Sequence, residues 1–159
     1  MLIYFSYRLL NKRKLFRVLK TYYGDSKIIN RAIVMPSNYN PFKWDYIVRT
    51  TKEYIVGDIN SFSCIPNQSG ELTIVTNPIV EKSLKEELGR YFKSFTPFYH
   101  ISFKEEKDRI IVKMTDLRYR VSNGFKHHAL FYYSLNAQLI SSVFHPFSME
   151  NNIEIKNNR

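Results

Sequence analysis

Cysteine is almost absent: Cys64 is the single one in 159 residues. An intramolecular disulfide is therefore excluded, and the chain reads as intracellular, or at least independent of oxidation. One cysteine and four histidines also exclude the usual four-ligand structural zinc site built mainly from cysteine. Glycine is scarce, at five residues, and no Gly-rich phosphate loop follows any expected strand. Long apolar runs are missing too. The opening MLIYFSYRLL is far short of the roughly 20 residues that span a bilayer. It does not read as a signal peptide either, because its charges follow the apolar stretch and no small-residue cleavage site comes after it.

What is abundant is aromatic and basic. Hydrophobic residues make up 44% and aromatics 16%, enough to bury a core and to exclude wholesale disorder. Twelve Tyr and twelve Phe against five Gly favour strands with bulky cross-strand pairs. The net charge of +10 is unevenly placed. Residues 1–31 hold Arg8, Lys12, Arg13, Lys14, Arg17, Lys20, Lys27 and Arg31 against Asp25 alone. Such crowding implies an anionic partner for that segment, a membrane face or a nucleic acid.

Leu2, Phe5, Leu9, Phe16 and Leu19 recur at helical spacing, which predicts a helix ended by Gly24 and Asp25. Its basic residues suit the cytoplasmic exit of a membrane helix, or a helix lying flat among headgroups. A surface helix packed by one apolar stripe is the plainer alternative. Met35 to Trp44 reads as an extended, turn-rich connector. Alternation then places Trp44, Tyr46 and Val48 on one face and Asp45, Ile47 and Arg49 on the other. A turn at Thr51-Lys52-Glu53 leads into Tyr54–Ile59, completing a hairpin in which Gly57 marks a bulge or close approach. Residues 66–78 read as a loop with a short strand over Leu72–Val75. Val80, Leu84, Leu88, Tyr91, Phe92 and Phe95 predict one helix, capped by Asn77 with Pro78 first. Four strands follow, over Tyr99–Phe103, Arg109–Thr115, His128–Leu135 and Leu139–Phe144, with a turn at Ser122-Asn123-Gly124 among their connections.

The expected architecture is α+β: a mostly antiparallel sheet of about six strands with one covering helix, plus an N-terminal basic helix. Three segments result. Residues 1–31 form the basic helix or the end of a membrane helix, 32–148 the α+β domain, and 149–159 a flexible tail.

The ordered series Asn40-Pro41-Phe42-Lys43-Trp44, Val48-Arg49-Thr50 and Tyr54-Ile55-Val56-Gly57 resembles the C-terminal part of the YdjM-like proteins. These are bacterial inner-membrane proteins described as metal-dependent hydrolases. Tyr91-Phe92-Lys93-Ser94-Phe95 and Asp116-Leu117-Arg118-Tyr119 look like the same pattern, which covers roughly residues 30–145. In that family the metal chemistry belongs to His-bearing helices in an N-terminal, membrane-embedded half. This chain has none of them, and its opening looks like the end of the last one with its cytoplasmic basic flank. The resemblance thus implies a fragment or short version without the catalytic half, at the cytoplasmic face of the inner or plasma membrane. It implies no cofactor in this chain and a divalent metal only in a longer form.

No catalytic constellation and no metal set emerge from the residues. His127 and His128 are adjacent and point to opposite faces of a regular strand, so they cannot jointly chelate one ion. His100 and His145 lie on other strands, and Asp116 is the one obvious carboxylate nearby. Asp116, Arg118 and Arg120 would share a face if their strand continues, giving an anion-binding patch or a structural ion pair. Trp44, Arg49 and Tyr54 complete the candidate ligand or anion set, although Trp44 is also the natural packing anchor where the connector enters the sheet. Tyr46, Tyr54, Tyr119, Tyr132 and Tyr133 could line a wet groove that stacks single-stranded nucleic acid. The sheet carries little excess charge, so nucleic acid is the lesser expectation. Cys64 and Ser63 lack the partners of a nucleophile. Arg8, Lys12, Arg13, Lys14, Arg17 and Lys20 are the expected contacts to an anionic membrane, with a protein partner or small ligand on the sheet.

Overall fold

The computed structural model describes residues 2–37, 40–121, 124, 125, 127–146 and 153–155. Contacts gather into two compact units, Met1–Ile74 and Val75–Arg159.

The first unit begins with α1 (Leu2–Gly24) and continues through β1 (Ile29–Pro36), β2 (Lys43–Thr50), β3 (Glu53–Asn60) and β4 (Pro66–Thr73). The four strands form an antiparallel meander in chain order. The expected hairpin is β2 with β3, and Trp44, Tyr46 and Val48 turn together into the core beneath α1. The helix meets them with Asn11, Leu15, Leu19 and Tyr23, each four residues apart and therefore on one face. This stripe differs from the expected one. Leu19 is common to both, but Phe5 and Leu9 are exposed and Phe16 is half-buried.

Gly57 fulfils the close-approach expectation. A Cβ there would fall 2.3 Å from the Asn67 carbonyl oxygen and 2.4 Å from the Tyr46 hydroxyl. The register between β3 and β4 also slips between Val56 and Gly57, the mark of a bulge. Its bare backbone lets the Tyr46 ring cross the sheet and reach the Tyr23 hydroxyl at 2.7 Å.

Two strands escape the sequence pattern. Ile29–Pro36 was expected to be partly connector, and Pro66–Thr73 mostly loop. Both are edge strands. One ends and the other begins with proline, a position an edge tolerates because the missing donor leaves no ladder bond broken.

The second unit opens with α2 (Pro78–Lys85) and α3 (Glu87–Phe95). It continues with β5 (Tyr99–Glu105), β6 (Ile110–Asp116), β7 (Arg120–Val121), β8 (Gly124–Phe125), β9 (His128–Tyr133), β10 (Leu139–His145) and β11 (Ile153–Ile155). Five strands form an antiparallel sheet in the order β11-β10-β9-β6-β5, and β7 with β8 make a small ribbon. The ribbon brackets the expected turn, of which Ser122 and Asn123 lie outside the described residues. Ile153–Ile155, from the expected tail, pair with β10. The core joins Val80, Leu88 and Phe92 of the helices to Val112, Met114, Ala129, Phe131 and Tyr133 of the strands.

Asn77 caps α2 as expected, accepting from the Ile79 N–H at 2.9 Å, with Pro78 in the first turn. The single helix expected over 79–95 is broken. Glu86 is extended, with ψ 156°, so one helix ends there and the next begins. Gly89 makes the break possible, since a Cβ at that position would lie 1.9 Å from the Ser83 carbonyl oxygen. Ser83 is fixed in turn by bonds to the Ile79 carbonyl and the Tyr133 hydroxyl.

The class is thus α+β and antiparallel. In place of one sheet of about six strands under one helix, the described residues form a four-stranded and a five-stranded sheet, a two-stranded ribbon and three helices.

Candidate functional site

A cluster of charged and aromatic groups lies where β6 ends. Asp116 closes that strand with its side chain fully buried. Leu117 and Arg118 then turn, so the alternation expected to align Asp116, Arg118 and Arg120 stops at Asp116. Arg118 folds back instead. Its backbone N–H donates to Asp116 Oδ1 at 2.9 Å, its Nε to the same oxygen at 3.1 Å, and its Nη2 to Oδ2 at 2.7 Å. Nη2 also reaches the Phe95 carbonyl at 3.3 Å. This is a fork-on-carboxylate pairing, the geometry in which Arg holds an acid most firmly. Arg120 opens β7, and its side chain lies outside the described residues.

His127 completes the cluster from just before β9. Its carbonyl accepts the Asp116 N–H at 2.9 Å, and its Nδ1 stands 3.9 Å from Asp116 Oδ2. Around the imidazole stand Phe92, Phe95, Tyr119 and Phe144, with ring centroids 5.1 to 5.8 Å away. Burial among these rings pushes the imidazole below its ordinary pKa. The Asp116 carboxylate pulls the other way, and the Arg118 charge adds to the depression. The solvent side is formed by Phe95 and Tyr119, both partly exposed, with the Arg118 guanidinium 5.2 and 5.6 Å from their rings.

The remaining histidines are arranged by strand register. His100 lies opposite Thr115, Thr115 opposite His128, and His128 opposite His145, one row across four strands. His128 and His145 are buried and stack with centroids 4.7 Å apart. His127 and His128 therefore go separate ways, as adjacency predicts. Among the described residues, no three or more His, Cys, Asp or Glu side chains are grouped so that they could hold a metal ion.

The other candidate ligand residues belong to the first unit. Trp44 is buried in its core as the packing anchor. Arg49 and Tyr54 are cross-strand partners on the opposite face, with the guanidinium 5.6 Å from the Tyr54 ring. Tyr46, Tyr54 and Tyr133 are buried, and Tyr46 and Tyr133 spend their hydroxyls on Tyr23 and Ser83. Burial raises both, Tyr133 to about 12. Cys64 is half-buried at φ 54°, its Sγ 3.5 Å from the Ser61 carbonyl.

On α1, Lys12, Arg13, Lys14, Arg17 and Lys20 are all exposed. Arg8 is not among them. It is half-buried, with its guanidinium 5.4 Å from the rings of Tyr4 and Trp44. Lys27 is occupied by Glu53 and Glu71. The start of the helix is exposed and apolar. Tyr4 is 54% exposed, Phe5 72% and Leu10 65%, and Tyr7 and Leu9 are also exposed. They belong to the run MLIYFSYRLL, which suited a membrane contact or, as the plainer alternative, a stripe packed on the domain; the packed stripe does not include Phe5 or Leu9. No described helix is long and apolar enough to cross a membrane.

No match to the chain was found among curated proteins, and none among solved structures. A match to one family model, described as the YfhP C-terminal alpha/beta plait domain, covers residues 78–156. That range spans almost all of the second unit, from the first residue of α2 to just past β11. It overturns the YdjM-like expectation, whose residue series was short, scattered and without a diagnostic motif. Residues 78–156 are similar to the YfhP C-terminal alpha/beta plait domain.

Proposed function

We propose that this chain is a docking module for an anionic membrane surface, with α1 as the membrane-contacting element. The observation that carries this reading is the exposure of Tyr4, Phe5, Tyr7, Leu9 and Leu10 beside five exposed cations on one helix. Water-exposed apolar side chains next to Lys and Arg match the layering of acyl chain and anionic headgroup. Each cation near such a surface contributes about 1 kcal/mol. An excess of Lys and Arg also favours the cytoplasmic leaflet, where anionic lipid gathers. The second unit supports a binding role over a catalytic one. The Asp116 carboxylate is taken up by Arg118, and His127 is enclosed by four rings. Its partly exposed Phe95, Arg118 and Tyr119 offer a surface for a protein partner or small ligand.

Removing residues 1–20 is not a usable test, because Leu15 and Leu19 belong to the core. Charge reversal at exposed positions is. The full chain should sediment with vesicles containing phosphatidylglycerol and not with neutral vesicles. The variant carrying Lys12→Glu, Arg13→Glu, Arg17→Glu and Lys20→Glu should remain folded by circular dichroism and stay in the supernatant. Undiminished sedimentation of that variant contradicts the reading. So does binding of the parent chain to duplex or single-stranded DNA in preference to vesicles at moderate salt.

A further inference from the structure

The side chains of α1 are sorted along the helix axis and not across it. An α-helix turns about 100° per residue, so position fixes direction. Tyr4, Phe5, Tyr7, Leu9 and Leu10 then point to every side, with no gap wider than about 100°. All five are exposed, including Tyr4 and Phe5, which lie toward the side that packs on the sheet one or two turns later. The first turns thus carry exposed apolar side chains in every direction, with Arg8 alone among residues 4–10 half-buried, against Trp44 on the sheet side. Just beyond them come Lys12, Arg13 and Lys14, consecutive and within about 3 Å of one another along the axis. With Arg17 and Lys20 they ring every side of the helix except the one that Asn11, Leu15 and Leu19 press on the sheet.

A helix built to lie in the plane of an interface separates its residues by face, with a continuous apolar stripe and a charged stripe opposite. This helix has an apolar tip and a basic collar. We propose that α1 enters an anionic bilayer end-on, with Tyr4, Phe5, Tyr7, Leu9 and Leu10 passing the headgroups, Lys12, Arg13 and Lys14 forming a ring of contacts to lipid phosphates, and Arg17 and Lys20 adding charge from the aqueous side. Seven residues rise about 10 Å, enough to carry the leading turn through the headgroup layer to the acyl boundary. Tyr4 and Phe5 lead and reach deepest, and Tyr7, Leu9 and Leu10 follow in the layer between the acyl boundary and the collar. The proposal rests on the membrane reading above and specifies its geometry.

Single-cysteine spin labels on the full chain test it, in a Cys64→Ser background. Labels replace Phe5, Leu9, Leu10 or Lys20 one at a time, and the vesicles contain phosphatidylglycerol and phosphatidylcholine. Phe5 and Leu10 are about 140° apart around the helix. End-on entry predicts that labels at 5, 9 and 10 all gain contact with dissolved oxygen and lose contact with a nickel chelate in water. The label at 20 should keep its aqueous contact. In a second measurement, Phe5→Asn and Leu10→Asn should each weaken partitioning by about tenfold or more, since either side of the tip is buried. A split in which 5 and 10 respond oppositely, or in which 20 is as deep as 9, overturns end-on entry and leaves membrane docking intact. Failure of the full chain to bind anionic vesicles at all removes both.

Discussion

His127 is the residue whose surroundings say most about the second unit. Four aromatic rings keep water from its imidazole, and the nearby carboxylate is already held by Arg118. The folded state therefore favours the neutral ring, and its pKa is lowered from the usual 6.5. The linkage has a definite sign. Above the unfolded value near 6.5 both states are neutral and the fold loses nothing. As the pH falls below it, the unfolded chain takes up the proton first and stability declines until the lower folded pKa is reached. The urea unfolding free energy of the parent chain relative to His127→Gln should therefore hold nearly level from pH 7.5 to about 6.5 and fall from there to pH 5. A difference independent of pH would show that Asp116 compensates the burial completely. Sequence patterning could place His127 opposite His128 and no further. Its partners come from α3, from the turn after β6 and from β10, contacts that no local periodicity encodes.

Among the elements, the first sheet depends on one crossing point. The Tyr46 ring passes over Gly57 to meet Tyr23 of α1, joining helix, β2, β3 and β4 at a single place. Gly57→Ala would drive a methyl into the Asn67 carbonyl and the Tyr46 ring. Overpacking of this kind costs about 1–3 kcal/mol. Urea unfolding should register that loss, and amide exchange should quicken in β2 and β3 more than in β6 and β9. The legible elements were those whose side chains carry the pattern: α1, the central hairpin, α2 with its Asn77 cap, and the alternating strands β5, β6, β9 and β10. β4 was not legible because PNQSGELT owes its extended form to backbone pairing with β3 and carries mostly polar side chains on an edge. The break at Glu86 was hidden for a related reason. Glycine within a helical pattern usually signals only a small loss of propensity, whereas Gly89 here admits a neighbouring carbonyl. Asp116 and Arg118 were rightly seen as near neighbours, but alternation could not foresee that the chain turns between them.

For the molecule as a whole, charge and apolar exposure make separable contributions to membrane binding. Screening length falls from about 10 Å at 0.1 M salt to about 3 Å at 1 M, while apolar transfer is almost unaffected. Co-sedimentation with anionic vesicles should therefore weaken as sodium chloride rises from 0.05 to 0.5 M, then level off above zero. A fall to nothing would mean that residues 4–10 contribute no transfer energy. The collar was readable as a count of Lys and Arg. The run MLIYFSYRLL suited a membrane contact as well as a packed stripe, and the difference depends on where the sheet stops covering the helix.

That same helix has a mechanical consequence. Leu15, Leu19 and Tyr23 are interior packing of the first unit, and the residues before them continue the same rigid rod. Between tip and interior there is no slack segment to absorb a pull. Any force applied at the leading turns is delivered to the packing of Leu15 and Leu19 and then to the Tyr23–Tyr46 junction, so load and fold cannot be uncoupled.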